Sequence, residues 1–363
     1  MQAPSPARSG LDHWLEDPSA PWQGWRTMCS PRARSHTGAP LSSALLQAER
    51  GIPSLWDQWH VCESMESLQR QLHEAICQLQ PSGVLVDLPD LGLRSTPEST
   101  GLTALLRAAS GTGVPLTILD RPNPLDGLSL EGPLVHPGFE SGQAAMGIPL
   151  RHGLTIAEHA RHRVREERLS IALKVVKCTG WSRDMDHIET GLPVVDDGQP
   201  NPWIHALSIV PGGTDWATAL HRDALDFGGP WAELEALLEF VQKGAADAEM
   251  QGTHFEQVHF TPSVGAYAGE SCFGVRVSAE TPRSVHTLKV GLVLAEAAIR
   301  VHARAQCAAP FPSSGTAHAL DRLLGSPEGR VGLAARVRSR ELLDAWEPDL
   351  TRFADDRRAS LLY

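Results

Sequence analysis

Leu119-Asp-Arg-Pro-Asn-Pro-Leu-Asp-Gly127, Leu130-Glu-Gly-Pro133 and Ile148-Pro-Leu-Arg-His-Gly153 are three short motifs that lie between an apolar run and the start of a helix. The run Val114-Pro-Leu-Thr-Ile-Leu-Asp120 predicts a short buried strand, and Leu154-Thr-Ile-Ala-Glu158 predicts a first helical turn. The prolines of the first motif fix φ and hold its polar side chains on a stiff backbone. Polar loops at strand ends are where α/β sheets build ligand sites.

A strand, a helix and a second strand surround the start of this segment. Gly83-Val-Leu-Val-Asp-Leu88 is a continuous apolar run, typical of a parallel strand that is buried on both faces. Residues 100–109 have helical spacing, and 115–119 predict the second strand. The crossover between such strands is right-handed and makes them parallel. Asp87 and Asp120 are therefore expected at the same carboxyl edge of one sheet.

The pattern of predicted strands and helices changes after residue 168. Thr155 and Glu158 have the spacing of a capping box and predict a helix that ends near residue 168. The segments that follow predict strands at 170–178, 256–262 and 272–278, a strand and turn at 207–212, and helices at 231–243 and 284–305.

The expected fold class is α/β, with two domains. Residues 1–168 are expected to form a Rossmann-like parallel sheet domain, of which residues 1–25 are irregular and rich in tryptophan. Residues 169–363 are expected to form a smaller α+β domain, with a ligand cleft between the two. Because no Gly-x-Gly-x-x-Gly motif is present, we expect no dinucleotide.

Composition narrows the class of function. The chain has 363 residues, a formal net charge of −11 and no basic cluster, which argues against nucleic-acid binding. It has no apolar run as long as a membrane span and no secretory signal at residues 1–8, so we expect a cytoplasmic protein.

His159 and His162 are a close pair on a predicted helix, but no third ligand accompanies them. We interpret both as helix-surface residues and expect no metal site.

The motifs Leu-Asp-Arg-Pro-Asn-Pro, Glu-Gly-Pro and Arg-His-Gly-Leu-Thr-Ile, in this order and spacing, resemble the signature of the YbbC/NamZ-like family. Further similarity lies at Ala48-Glu-Arg-Gly-Ile52, at Tyr267-Ala-Gly-Glu270 and at the ending, residues 342–363. The resemblance implies an exo-β-N-acetylmuramidase of peptidoglycan turnover that acts on an amino-sugar or peptidoglycan fragment. It implies neither a metal nor an organic cofactor, and it leaves the oligomeric state open.

Hydrolysis of a glycoside normally needs one carboxyl group that protonates the leaving oxygen and one carboxylate that activates water or attacks the sugar. The resemblance implies that Glu49 is the acid/base, although Arg50 replaces the family's histidine, and that Asp90 is its partner or orients water. The substrate-binding residues that it implies are Asp87, Arg94, Asp120, Arg121, Asn123, Glu131, His152, Tyr267 and Glu270.

The residues themselves leave structural roles open for most of these side chains. The alternatives are a surface position for Glu49, capping of turn amides by Asp87 or Glu131, a loop-fixing ion pair of Asp120 with Arg121, a helix-anchoring role for His152, and strand-end packing for Tyr267 and Glu270.

Two departures from the family pattern favour a second hypothesis. Ser95-Thr-Pro-Glu98 stands where relatives carry Phe-Tyr-Thr-Tyr, and a shortened segment at 213–222 lacks the family's second glutamate. The second hypothesis is a catalytically inactive sugar-binding or partner-binding protein on the same scaffold. The two hypotheses differ in whether Asp215, Glu98 or another carboxylate replaces the missing glutamate in space.

Overall fold

The computed structural model describes residues 25–29, 65–141, 144, 147–192, 199–247, 250, 252–265, 267–280, 285–301 and 318–363. Glu49 and the tryptophan-rich residues 1–24 lie outside the described residues, so the roles expected for them stay predictions. Trp25, which the sequence analysis included in the irregular segment, begins the first strand.

In the part of the chain that the structure describes, the first sheet has four parallel strands arranged in chain order, which confirms the Rossmann-like parallel sheet. Successive strands are joined by helices, and right-handed crossovers in one direction place those helices on one face of the sheet. Val84, Val86 and Ile118 accordingly share a buried cluster with residues of the helices at 65–79, 97–109 and 156–166. The elements are β1 (Trp25–Cys29), α1 (Met65–Leu79), β2 (Gly83–Asp87), α2 (Pro97–Ala109), β3 (Leu116–Leu119), α3 (Ile156–Glu166) and β4 (Leu173–Val176).

The sheet extends past the boundary expected at residue 168. Leu173–Val176 pairs with β3 in parallel, so the strand expected at 170–178 belongs to the first sheet. The boundary itself stays a prediction. Helix α3 begins with the expected capping box, in which the Thr155 side chain accepts from Glu158 N and the Glu158 side chain accepts from Thr155 N.

The second sheet is antiparallel, and its strands lie in the order Ala217–Leu220, Ala224–Gly229, Cys272–Ala279 and Thr253–Phe260. The first sheet with its helices is called the first unit, and the second sheet with its helices the second unit. A large apolar cluster lies between this sheet and the helices that pack on it, with Phe227, Val275, Leu237 and Val293 among its buried members. The elements are α4 (His187–Thr190), α5 (Pro202–Ser208), β5 (Ala217–Leu220), β6 (Ala224–Gly229), α6 (Leu234–Asp247), β7 (Thr253–Phe260), β8 (Cys272–Ala279), α7 (Thr287–Val301), α8 (Ala319–Leu324), α9 (Glu328–Ala334) and α10 (Ser339–Arg357).

One local prediction in this unit is wrong. Residues 207–212 form the end of helix α5 and a 3-10 turn at Pro211–Gly213, where a strand and turn were expected. Pro202 occupies the first turn of the helix, where its missing N–H costs no hydrogen bond. A short apolar run is equally compatible with a buried helix and a buried strand, and here Leu207 and Val210 are buried as part of the helix and the turn.

The last residues return to the first sheet. The Tyr363 hydroxyl donates to Asp120 Oδ2 at 2.7 Å and accepts from Cys178 N at 2.9 Å. Leu362 N donates to Glu158 Oε1 at 2.7 Å. These bonds join residues 361–363 to β3, α3 and the segment that follows β4. Among the described helices, none combines the length and the apolar character that crossing a membrane requires.

Candidate active site

A network of buried polar side chains lies along the carboxyl edge of the first sheet. β2 ends at Asp87 and β3 ends at Leu119, and the loops that follow them carry the expected site residues. Eight of those residues are at most 7% exposed, namely Asp87, Asp90, Arg94, Asp120, Arg121, Asn123, Glu131 and His152. Unpaired buried charges are costly, so each of these side chains needs a hydrogen-bond or ion-pair partner. The identity of that partner indicates the role of the side chain.

Asp87 forms a bidentate ion pair with Arg121. The Arg121 Nε to Asp87 Oδ1 distance is 2.6 Å, and Nη2 to Oδ2 is 2.9 Å. This corrects the alternatives in which Asp87 caps turn amides and Asp120 pairs with Arg121. Consecutive residues of an extended chain point to opposite sides, so Arg121 reaches the end of the neighbouring strand more readily than its own neighbour.

Asp120 holds the N-terminus of α3. Its Oδ1 accepts from Ala157 N at 2.9 Å, and its Oδ2 accepts from Thr155 Oγ1 at 2.8 Å and from the Tyr363 hydroxyl. Burial raises the pKa of the Asp120 carboxyl to about 7, although these three donors favour the ionised form. Asp120 therefore links the sheet edge, α3 and the returning residues 361–363.

The raised pKa of Asp120 predicts a pH-dependent stability. In the unfolded chain the pKa of an aspartate is about 3.9. Between that value and about 7 the folded state holds a proton that the unfolded state has lost. The free energy of unfolding is therefore expected to fall as pH rises through this window, by about 2–3 kcal/mol between pH 5 and pH 7.5.

Urea unfolding of the wild type and Asp120→Asn at several pH values measures this contribution, because asparagine does not titrate. The difference between the two proteins is expected to change across the window and to be constant above about pH 8. Parallel curves from pH 4 to pH 8 would show that Asp120 is ionised throughout.

Glu131 and Arg151 connect the first sheet to the second unit. Arg151 Nη1 lies 2.5 Å from Glu131 Oε1, and its Nη2 lies 2.9 Å from Asp126 Oδ2. Glu131 Oε2 accepts from Leu288 N in the first turn of α7, and Arg151 Nη1 also donates to the Val285 carbonyl. Glu131 is thus occupied by Arg151 and by a helix N-terminus, rather than by the amides of its own turn.

A pocket of about 330 Å³ lies beside this connection. Its walls come from residues 130–132 of the first unit and from α7 and α10 of the second, so it lies between the two units as expected for the cleft. Of the sequence-predicted site residues that the structure describes, only Glu131 lines it. The other carboxylates in its wall, Asp344 and Glu347, are exposed.

Arg94 and Asn123 are held by the backbone. The Arg94 guanidinium donates to four carbonyls, those of Pro133, Ile148, Leu323 and Leu324, and burial lowers its pKa to about 9. The Asn123 amide donates to the Leu154 carbonyl and accepts from Leu125 N. These contacts give both residues a structural role in orienting the loops. The sequence analysis had instead expected them to contact a sugar ligand.

Asp90, His152 and His159 form the part of the edge with unused hydrogen-bonding capacity. His152 Nε2 lies 3.1 Å from Asp90 Oδ2, but the N–H is not in line with the oxygen, and neither atom has a well-directed partner among the described residues. His152 Nδ1 accepts from Leu154 N at 3.1 Å, and Thr96 Oγ1 lies 3.4 Å from Asp90 Oδ1. His152 thus both anchors the start of α3 and faces a carboxylate.

His159 was not among the site residues expected from the sequence. His159 and His162 are 0% and 2% exposed, so their interpretation as helix-surface residues is wrong. The rings of His152 and His159 are 5.6 Å apart. The sequence held a usable signal, because His159 follows Ile156 by three positions and precedes Ala160 on the same buried face of α3.

Tyr267 and Glu270 lie on the loop between β7 and β8. Tyr267 packs edge to face on Trp231, with ring centroids 4.7 Å apart, and Glu270 is exposed. Burial, followed by the charges of Asp215 and Glu270, raises the pKa of Tyr267. The structure therefore groups Asp215 with Tyr267 and Glu270, and these stay candidate substrate contacts.

Glu98 is the candidate replacement carboxylate near Asp90. It is 1% exposed and lies in the first turn of α2, two residues after Thr96. Within the part of the chain that the structure describes, no group of three or more His, Cys, Asp or Glu side chains could hold a metal ion.

Comparisons with known proteins agree with this architecture. Residues 67–206 match the N-terminal domain of the family described as exo-β-N-acetylmuramidase NamZ, and residues 226–363 match its C-terminal domain. The peptidoglycan β-N-acetylmuramidase NamZ of Bacillus subtilis (strain 168) is 26% identical over 287 residues, which cover 77% of this chain and 67% of that protein.

Two solved structures of DUF1343 family proteins from Bacteroides fragilis share the fold. One has a TM-score of 0.79 at 21% identity and covers 98% of this chain and 99% of its own. The other has a TM-score of 0.66 at 19% identity and covers 99% of both chains. With both family domains matched in order along most of its length, the chain belongs to the exo-β-N-acetylmuramidase NamZ family.

Proposed function

We propose that this protein is a glycoside hydrolase that releases a terminal N-acetylmuramic acid or a related amino sugar from peptidoglycan fragments. Family membership supports the reaction class, and the name of the Bacillus subtilis relative supports the sugar. The structural observation that carries the proposal is Asp90, a carboxylate 6% exposed at the carboxyl edge whose Oδ2 has no well-directed partner among the described residues.

The neighbours of Asp90 suit it to accept a proton from water. His152 Nδ1 accepts from Leu154 N, so in the neutral ring the proton resides on Nε2, which faces Asp90. An imidazolium would need a proton on Nδ1 and would lose that bond. In the neutral ring His152 therefore presents an N–H donor on the side that faces Asp90.

The other half of the reaction needs a protonated group at the leaving oxygen. We assign this role to Glu49, which the family resemblance implies. Asp90 would then activate the water that attacks the anomeric carbon. Tyr267 and Glu270, with Asp215 beside them, would contact the sugar or its aglycone from the second sheet.

The alternative of a catalytically inactive binding protein gains no support from the comparisons, because the curated relative is named as an enzyme. The arrangement of Asp90 with His152 also favours an enzyme. We expect a cytoplasmic location, as the sequence analysis did, and this stays a prediction.

Hydrolysis of 4-nitrophenyl β-N-acetylmuramide, run beside the β-N-acetylglucosaminide analogue, tests the proposed function. The purified protein is expected to release nitrophenolate from the muramide alone. Release from the glucosaminide alone would assign a different sugar. No release from either substrate by a protein that folds cooperatively would overturn the proposal.

A further inference from the structure

His159 is a fully buried imidazole with unusual surroundings. It is 0% exposed on α3, and neither of its ring nitrogens has a hydrogen-bond partner among the described residues. By contrast, His162, one turn later on α3 and 2% exposed, has its Nε2 3.4 Å from the Gly147 carbonyl and its ring edge to face on Phe353. Among the described residues His159 therefore has two ring nitrogens without a partner, and His162 has one, its Nδ1.

Unsatisfied atoms cluster here. The His152 ring lies 5.6 Å from that of His159, and its Nε2 lies 3.1 Å from Asp90 Oδ2, although neither of these two atoms has a well-directed hydrogen bond among the described residues. Leaving a buried polar atom without a partner is costly, so four such atoms in these three residues call for a physical explanation. Such groups are generally satisfied by a shared small polar molecule.

The charges of the three residues identify which small molecule fits. Burial, together with the nearby charge of Arg163, lowers the pKa of His159 well below its usual value, so the ring is neutral and offers one donor and one acceptor. His152 offers a donor at Nε2, and Asp90 offers an acceptor. A water molecule has two protons and two lone pairs, and it matches this set without adding charge.

We propose that His159 is a positioning residue that, with Asp90 and His152, holds one water molecule at the carboxyl edge of the first sheet. The inference that this water is the one Asp90 activates rests on the proposed function. His159 would act through the water, by fixing its orientation toward Asp90, and would not contact the sugar.

The test compares His159→Leu, which removes both ring nitrogens, with His159→Asn, which keeps one donor and one acceptor. His162→Leu is the matched control, because it removes a second buried imidazole from the same helix. Selectively ¹⁵N-histidine-labelled protein reports bound water through cross-relaxation between water and the imidazole N–H protons, and this readout needs no substrate.

The wild type and His162→Leu are expected to show a water contact at the His152 Nε2–H, and His159→Leu is expected to lose it. In turnover assays His159→Leu is expected to lower kcat about 10- to 100-fold with KM within about twofold, and His159→Asn to recover most of the loss. His162→Leu is expected to keep the wild-type kcat even where it lowers the melting temperature.

Absence of the water contact in the folded wild type would overturn the proposal, as would a His159→Leu variant that keeps both the contact and kcat. A water contact that depends on His159 in a protein without hydrolase activity would support the water site and overturn only the proposed function. The two failures are therefore distinguishable.

Discussion

The Glu49→Gln and Asp90→Asn variants are each expected to hydrolyse a β-N-acetylmuramide about 10²- to 10⁴-fold more slowly than the wild type, with little change in KM. Glutamine at position 49 cannot protonate the leaving oxygen. Asparagine at position 90 keeps the size of the side chain but cannot accept a proton from water. Steady-state kinetics at one pH measures both effects.

The double variant distinguishes a concerted pair from two independent groups. If Glu49 and Asp90 act in the same step, the double variant is expected to be far less impaired than the product of the two single effects. Asp355→Asn, on the exposed surface of α10, is the control and is expected to leave kcat unchanged. An Asp90→Asn variant within threefold of the wild type would assign water activation to another carboxylate, for which the buried Glu98 is a candidate.

The Arg151→Met variant is expected to lower the free energy of unfolding by about 3–5 kcal/mol, because it leaves two buried carboxylates without their counter-charge. Arg151 is 2% exposed and pairs with both Glu131 and Asp126. It also donates to the carbonyls of Leu125 and Val285, and the second of these lies across the junction between the two units. Urea unfolding at pH 7 measures the change.

Two further variants test the cause of that change. Arg352→Met, which removes an exposed ion pair with Asp349 on α10, is expected to change stability by less than about 1 kcal/mol. Adding Glu131→Gln to Arg151→Met is expected to restore part of the loss, because one uncompensated charge disappears. A loss for Arg151→Met no greater than that for Arg352→Met would contradict the assigned role.

The fold of the first unit could be predicted because its signals are local. The apolar runs at 83–88 and 115–119 and the capping box at Thr155 each specify one element, and the crossover rule then orders the strands. The run at 207–212 failed because apolar composition alone does not separate a buried helix from a buried strand. Pro202 at the first helical position is the local feature that favours the helix.

The location of the site residues at one edge of the sheet could be predicted from the sequence. Their hydrogen-bond and ion-pair partners were predicted less well. Asp87 and Arg121 are 34 residues apart in the chain, and no spacing rule connects them. Arg94 and Glu131 were expected to face a sugar, but their contacts include backbone groups of the second unit, which only the packing of the two units brings near. The burial of His159 follows from its position on the same helix face as Ile156 and Ala160.

The return of residues 361–363 to the first sheet has a consequence for protein synthesis. Asp120 and Tyr363 are 243 residues apart, so at about 5–20 residues per second a ribosome needs roughly 12–50 s to make the intervening chain. During that interval the nascent first sheet lacks the hydroxyl that Asp120 accepts from and the backbone amide that Glu158 accepts from. The first sheet therefore gains the contacts of residues 361–363 only after the second unit has been translated.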